Sequence, residues 1–194
     1  MNLSAVLEYS AVEYPEKAAV VIGETRMNYG LINAMANQVA AGLTSAGIGK
    51  GDKVALSCPN LPYFPIIYYG ILKVGAVVVS LNILLKSREI AYHLQDSDAK
   101  AYFCFQGTPE LPMAQEGHQG FNEVDLCEQM CIMTADPSGP SPIAGIPTMM
   151  QLISGQPTEF DTVQLSSEDT AVILYTSGTT GMPKGAELSH SNLL

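Results

Sequence analysis

The chain has 194 residues, 47% hydrophobic and 14% charged, a balance that fits a folded protein and excludes a disordered one. Nine Lys+Arg against nineteen Asp+Glu give a formal net charge of -10. That balance argues against nucleic acid and against a strong electrostatic hold on anionic lipid, since both require a basic surface.

The length suits one domain, or one domain plus part of a second. No positive region opens the chain, and Glu8 and Glu13 fall in its first helical pattern, so residues 1–14 do not read as a signal peptide. Leu3, Val6 and Leu7 predict a helix over 3–14, ended by Pro15. Ala18–Ile22 and Thr25–Asn28 predict two short strands turning at Gly23-Glu24. Ile32, Met35, Ala36, Val39, Ala40 and Leu43 then recur on one helical face, and Gly47 stops that helix. Lys53–Cys58 reads as a strand, 62–74 as a buried helix and Ala76–Leu81 as a central strand. No charge falls between Val54 and Leu72, but Pro59, Pro62 and Pro65 make a short helix and strand a better reading than a membrane span.

Ser87 is expected to cap a helix running to about Gln95. Asp96-Ser97-Asp98 reads as its exit, and His93 as an exposed helical histidine. Lys100–Phe105 is a further strand. The pattern weakens over 106–128, and no element is placed there. Met130–Met133 is a short strand. Residues 134–147, with Pro137, Pro140 and Pro142, form a surface loop. Thr148–Ser154 gives one or two helical turns, and 156–167 is loop. Strands alternating with helices, apolar on both faces, predict an α/β fold: a mostly parallel sheet with flanking helices. Cys58, Cys104, Cys127 and Cys131 read as buried free thiols in a reducing compartment. Cys127-x-x-x-Cys131 with His118 fits no common zinc spacing.

The chemistry concentrates after the apolar strand Ala171–Tyr175. Residues 175–185, Tyr-Thr-Ser-Gly-Thr-Thr-Gly-Met-Pro-Lys-Gly, hold four Ser/Thr hydroxyls, three glycines, a proline and a lysine. The spacing is not that of a Walker A loop. Pro183 biases Met182 away from helix, so the chain should return as a strand over Gly185–His190. Gly178, Gly181 and Gly185 permit positive φ and close backbone approach. Thr176, Ser177, Thr179 and Thr180 offer hydroxyls to phosphate oxygens or to a hard cation, and Lys184 offers a point charge. The bland alternative is a Gly/Ser/Thr-rich hairpin turn without a ligand.

Residues 175–185 resemble the phosphate-loop signature of the acyl-adenylate-forming (AMP-binding) superfamily: acyl-CoA synthetases, firefly-type luciferases and peptide-synthetase adenylation domains. Upstream matches follow in order: Tyr14-Pro-Glu-Lys-Ala18; Asn28-Tyr-Gly-Leu-Ile-Asn33, with Asn28 where Thr is usual; and Gly47-Ile-Gly-Lys-Gly-Asp-Lys-Val54. Pro59-Asn60, Gly75-Ala76-Val77, Leu81-Asn82 and Ser189-His190-x-Asn192 complete the resemblance. Residues 81–90 lean toward the fatty acyl-CoA ligases.

The resemblance implies that 1–194 is the N-terminal portion of the large domain of such an enzyme, with the phosphate loop at 175–185. It implies a two-step ligase. A carboxylate attacks the α-phosphorus of ATP to give acyl-AMP and pyrophosphate, and coenzyme A then takes the acyl group. Carried over, Thr176 lies near Mg²⁺, while Ser177, Gly178, Thr179, Thr180, Gly181 and Lys184 contact ATP phosphates. The family's adenine-binding segment, acyl pocket, Mg²⁺-ligating acid, hinge and catalytic lysine all lie beyond this loop, so no catalytic residue is assigned here, and Lys184 is not that lysine. The chain is expected to be inactive alone, and acyl-AMP formed from ATP and a fatty acid would overturn that expectation. The rival readings are an adenylation domain that loads a carrier protein, and a non-catalytic nucleotide-binding, phosphate-binding or interaction module. Acyl chain length is not legible. A cytoplasmic location is expected, with peripheral membrane attachment as the variant. The strands on both sides of the loop are expected to have exposed edges, and the chain to self-associate through them.

Overall fold

The apolar segments pair much as their patterning demands. The computed structural model describes residues 1–176 and 181–194. Helix α1 (Ala5–Glu13) precedes an antiparallel hairpin of β1 (Ala18–Ile22) and β2 (Thr25–Asn28). Asn28 ends that hairpin and caps α2 (Tyr29–Ser45), its side-chain oxygen accepting from the Leu31 N–H at 2.8 Å.

The main sheet contains β3 (Lys53–Ser57), β4 (Val77–Ser80), β5 (Ala99–Phe105), β6 (Gln129–Met133), β7 (Thr170–Thr176) and β8 (Lys184–Ser189). Their order is β6-β5-β3-β4-β7-β8, all parallel except β8, which runs back antiparallel to β7. Val54, Ala55, Leu56, Val78, Val79, Phe103 and Cys104 are buried, as two covered faces require.

Strand β3 leads through α3 (Tyr63–Lys73) to β4 on one side, and β4 leads through α4 (Ser87–Asp96) to β5 on the other. Right-handed crossovers in opposite directions put α3 and α4 on opposite faces. Accordingly α2 packs on α3, and α4 packs on α5 (Met113–Phe121). The short α6 (Met149–Ile153) leans on α2 and β6. At the far end of β8, His190 is fully buried, and its Nδ1 accepts from the Leu3 N–H at 3.0 Å.

Four expectations need correction. Ser87 is the first residue of α4 rather than its cap; Lys86 holds that place, and the Glu89 carboxylate accepts its N–H at 2.9 Å. Residues 106–128 are not irregular throughout, because α5 lies there. Gly117 and Gly120 weakened its pattern, yet each is where the helix comes closest: Gly117 to Tyr102 and Cys104, Gly120 to the Ser87 carbonyl. His93 is 4% exposed, not a surface residue, because the ring of Tyr175 lies against it with centroids 4.2 Å apart. Finally, β7 has no free edge: it pairs with β4 on one side and β8 on the other.

Candidate functional site

All five parallel strands end at one rim of the sheet, at Ser57, Ser80, Phe105, Met133 and Thr176. In open α/β sheets ligands bind outside these carboxyl ends. The glycine-hydroxyl stretch leaves β7 at this rim and returns as β8.

Residues Ser177, Gly178, Thr179 and Thr180 lie outside the described residues. Of the other candidates, Thr176 and Lys184 are brought directly together: they form the last rung of the β7–β8 ladder, after Tyr175 opposite Gly185. Cross-strand partners point to the same face, so the hydroxyl and the ammonium stand side by side at the loop mouth. Both residues are exposed, and none of the ion pairs among the described residues involves Lys184. Gly181 has φ +107, which L side chains rarely adopt. Gly185 serves close approach instead. A Cβ there would lie 2.9 Å from Ile173 Cγ2 and 3.3 Å from Tyr175 Cζ, so its bareness lets the Tyr175 ring lie across β8.

Helix α4 backs both arms of the loop. The Tyr175 hydroxyl donates to Asp96 Oδ2 at 2.7 Å, and the Tyr92 hydroxyl donates to the Pro183 carbonyl at 2.9 Å. Burial and the Asp96 carboxylate push the Tyr175 phenol up, and loss of solvent followed by Asp96 does the same at Tyr92. Both hydroxyls therefore stay protonated and able to donate at neutral pH. A cavity of about 630 Å³ opens beside the loop exit, lined by Arg88, Tyr92, Glu123, Met182 and Pro183 among others. Sequence reasoning had not joined Tyr92 and Asp96 to the loop. The available signal was their i, i+4 spacing on a helix that follows a central strand.

The remaining candidates recede. Burial pushes the thiols of Cys58, Cys104, Cys127 and Cys131 up to about 12, too high for a reactive thiolate at neutral pH. Among the described residues, no group of three His, Cys, Asp or Glu side chains is placed to hold a metal ion. Among them also, no helix is long and apolar enough to cross a membrane.

A family model described as "AMP-binding enzyme" matches residues 7–194. The chain is 33% identical over 195 residues to the long-chain-fatty-acid–CoA ligase FadD13 of Mycobacterium tuberculosis, covering 99% of this chain and 36% of that protein. It is also 33% identical over 198 residues to a crotonobetaine/carnitine–CoA ligase of Salmonella paratyphi C, covering 99% of this chain and 37% of that protein. The solved anthranilate CoA ligase AuaEII, in complex with anthranoyl-AMP, superposes with a TM-score of 0.86 at 28% identity, covering 98% of this chain and 35% of that one. The chain thus spans about a third of the length of the curated relatives it matches.

Proposed function

The chain belongs to the AMP-binding enzyme family, and from that premise we propose that it is the phosphate-binding part of an ATP-dependent carboxylic acid–CoA ligase. One observation carries the reading: the β7–β8 ladder sets Thr176 beside Lys184 on either side of seven residues, three of them Ser or Thr, at the ligand-binding rim of a parallel sheet. Lys184 and the N–H groups of 177–181 would hold the β- and γ-phosphates. An acid carboxylate attacks the α-phosphorus, the bond to the bridging oxygen breaks, and the charge left on pyrophosphate falls beside Lys184. The acyl group then passes from acyl-AMP to the thiol of coenzyme A, releasing AMP.

The Thr176 hydroxyl is a hard oxygen donor suited to Mg²⁺, an ion that keeps most of its shell as water and phosphate. When bound, Mg²⁺ supplies charge neutralisation along the phosphate chain. The likeness to FadD13, a long-chain-fatty-acid–CoA ligase, makes a fatty acid the first-choice substrate. The outer edge of β8, unpaired among the described residues, is the place where two copies of this chain would associate.

Titration calorimetry of the 194-residue chain with Mg·ATP and with Mg·pyrophosphate tests the reading. Saturable binding is expected for both, weakened about tenfold by Lys184→Ala, the usual scale for losing one charge-assisted contact. No binding of either ligand to the wild-type chain would sink it.

A further inference from the structure

The eleven-residue stretch is fastened at both arms to one helix. On the entry side Tyr175 donates to Asp96 Oδ2 at 2.7 Å. On the exit side the Pro183 carbonyl accepts from Tyr92 at 2.9 Å. Tyr92 and Asp96 lie one turn apart on α4 and share a face. The Tyr92 hydroxyl is also 3.4 Å from Asp96 Oδ1, too far to compete with the carbonyl for its single proton. The rings close the assembly edge to face: Tyr92 against His93 at 5.6 Å, Tyr92 against Tyr175 at 6.5 Å, and His93 against Tyr175 at 4.2 Å. His93 is itself anchored, its Nδ1 sitting 2.6 Å from the Glu89 carbonyl.

We propose that Tyr92, Asp96 and Tyr175 form a clamp that fixes both arms of the phosphate loop on α4, acting as positioning residues for phosphate binding. The proposal rests on the phosphate-loop reading above. Among the described residues the clamp touches the loop at Tyr175 and Pro183, the neighbours of Thr176 and Lys184, so it acts through those two residues rather than on the ligand. Without it, the loop's arms would have to be ordered when ligand arrives, and that ordering is subtracted from the affinity. The two hydroxyl bonds sit at or near the surface, where they add little to global stability. Their effect should therefore be local.

Three variants separate positioning from bulk structure. Tyr92→Phe keeps the ring and removes the hydroxyl. Asp96→Ala removes the acceptor for Tyr175, and Asp96→Asn restores one. Each is measured by amide hydrogen exchange, by thermal unfolding, and by calorimetric titration with Mg·tripolyphosphate. Tyr92→Phe and Asp96→Ala are expected to speed exchange over 181–185 about fivefold and to weaken binding by a similar factor, the scale of one lost hydrogen bond. Their Tm should stay within about 2 °C of wild type, since only a local bond is lost. Asp96→Asn should recover most of both losses. Unchanged exchange over 181–185 in Tyr92→Phe overturns the clamp. So does a rise in exchange spread over the whole sheet with a matching fall in Tm, the mark of a merely structural role. If the wild-type chain binds neither Mg·tripolyphosphate nor Mg·ATP, the ligase reading fails, and the exchange data still judge the clamp.

Discussion

Gly120 has no room for a methyl group. A Cβ there would lie 2.5 Å from the Ser87 carbonyl oxygen and 3.0 Å from Ile90 Cβ, both parts of the neighbouring helix. Alanine normally favours a helix over glycine by about 1 kcal/mol. Here the contact is with backbone that cannot swing aside, so Gly120→Ala should destabilise by about 1–3 kcal/mol, as overpacking does. The urea midpoint should fall at unchanged m, while the exposed neighbour Gln119→Ala should leave it in place; a midpoint that rises for Gly120→Ala would show that α5 has space to withdraw. The same two glycines explain why α5 was not legible. Its buried positions Met113, Ala114, Gly117 and Gly120 do trace one helical face, but half of them carry no side chain for a hydrophobic pattern to register. The helix from Tyr29 was legible because Ile32, Val39 and Leu43 mark its face in bulk. His93 shows the converse limit. Its helix could be read locally, but the ring that buries it comes from Tyr175, far along the chain.

At the scale of elements, α1 and the loop before β7 are fastened to α3 by one buried lysine. Lys73 is 1% exposed and pairs with Glu8, whose carboxylate also accepts from the Thr162 hydroxyl. Burial drags the Lys73 ammonium down, with Glu8 opposing. Burial also lifts Glu8, but the hydrogen bonds from Lys73 and Thr162 outweigh it and leave the carboxyl below its ordinary value. Removing Glu8 strands the lysine. Glu8→Ala is expected to cost about 2 kcal/mol, less than the 3–5 kcal/mol of a fully buried pair, because water reaches the carboxylate. A carboxyl held low in the folded state contributes stability that is complete above its unfolded pKa of 4.5. That contribution is lost as pH falls through the folded value. Glu8→Gln should therefore flatten the acid limb of stability below about pH 4.5, read as urea midpoints from pH 7 to 3; an unaltered limb would remove Glu8 from the account. None of this was legible in the sequence, where Glu8 served only to argue against a signal peptide. The helix and strand positions could be read, because their apolar periods are local, but a contact between residues 8, 73 and 162 is not.

For the molecule as a whole, the sheet has two unlike edges. The β6 side is partly covered, since the Ile132 N–H donates to the Pro147 carbonyl at 2.9 Å. Among the described residues no strand covers the β8 side, and Lys184, Gly185, Ala186 and Glu187 are all exposed. An uncovered strand of this kind recruits another strand. Light scattering at millimolar protein should give a mass above the monomer, and Ala186→Lys, which places a charge on that strand, should restore the monomer. A monomeric wild-type chain at that concentration would refute the association. The overall architecture was the most legible property, because alternating apolar strands and helices leave a parallel sheet few alternatives. The strand after the loop was legible too: Pro183 announced a returning strand, and the structure returns one over Lys184–Ser189. Its far anchor was not. The β7–β8 ladder runs from the rung of Thr176 and Lys184 down to Ser189, and at His190, the next residue, the Leu3 N–H engages the buried imidazole. Six strand residues separate the two ends, about 20 Å. Slipping β8 by a single residue would turn Lys184 to the opposite side of the sheet. The first residues of the chain thus work as a ruler's stop, deciding from the far end of the strand which way a distant lysine faces.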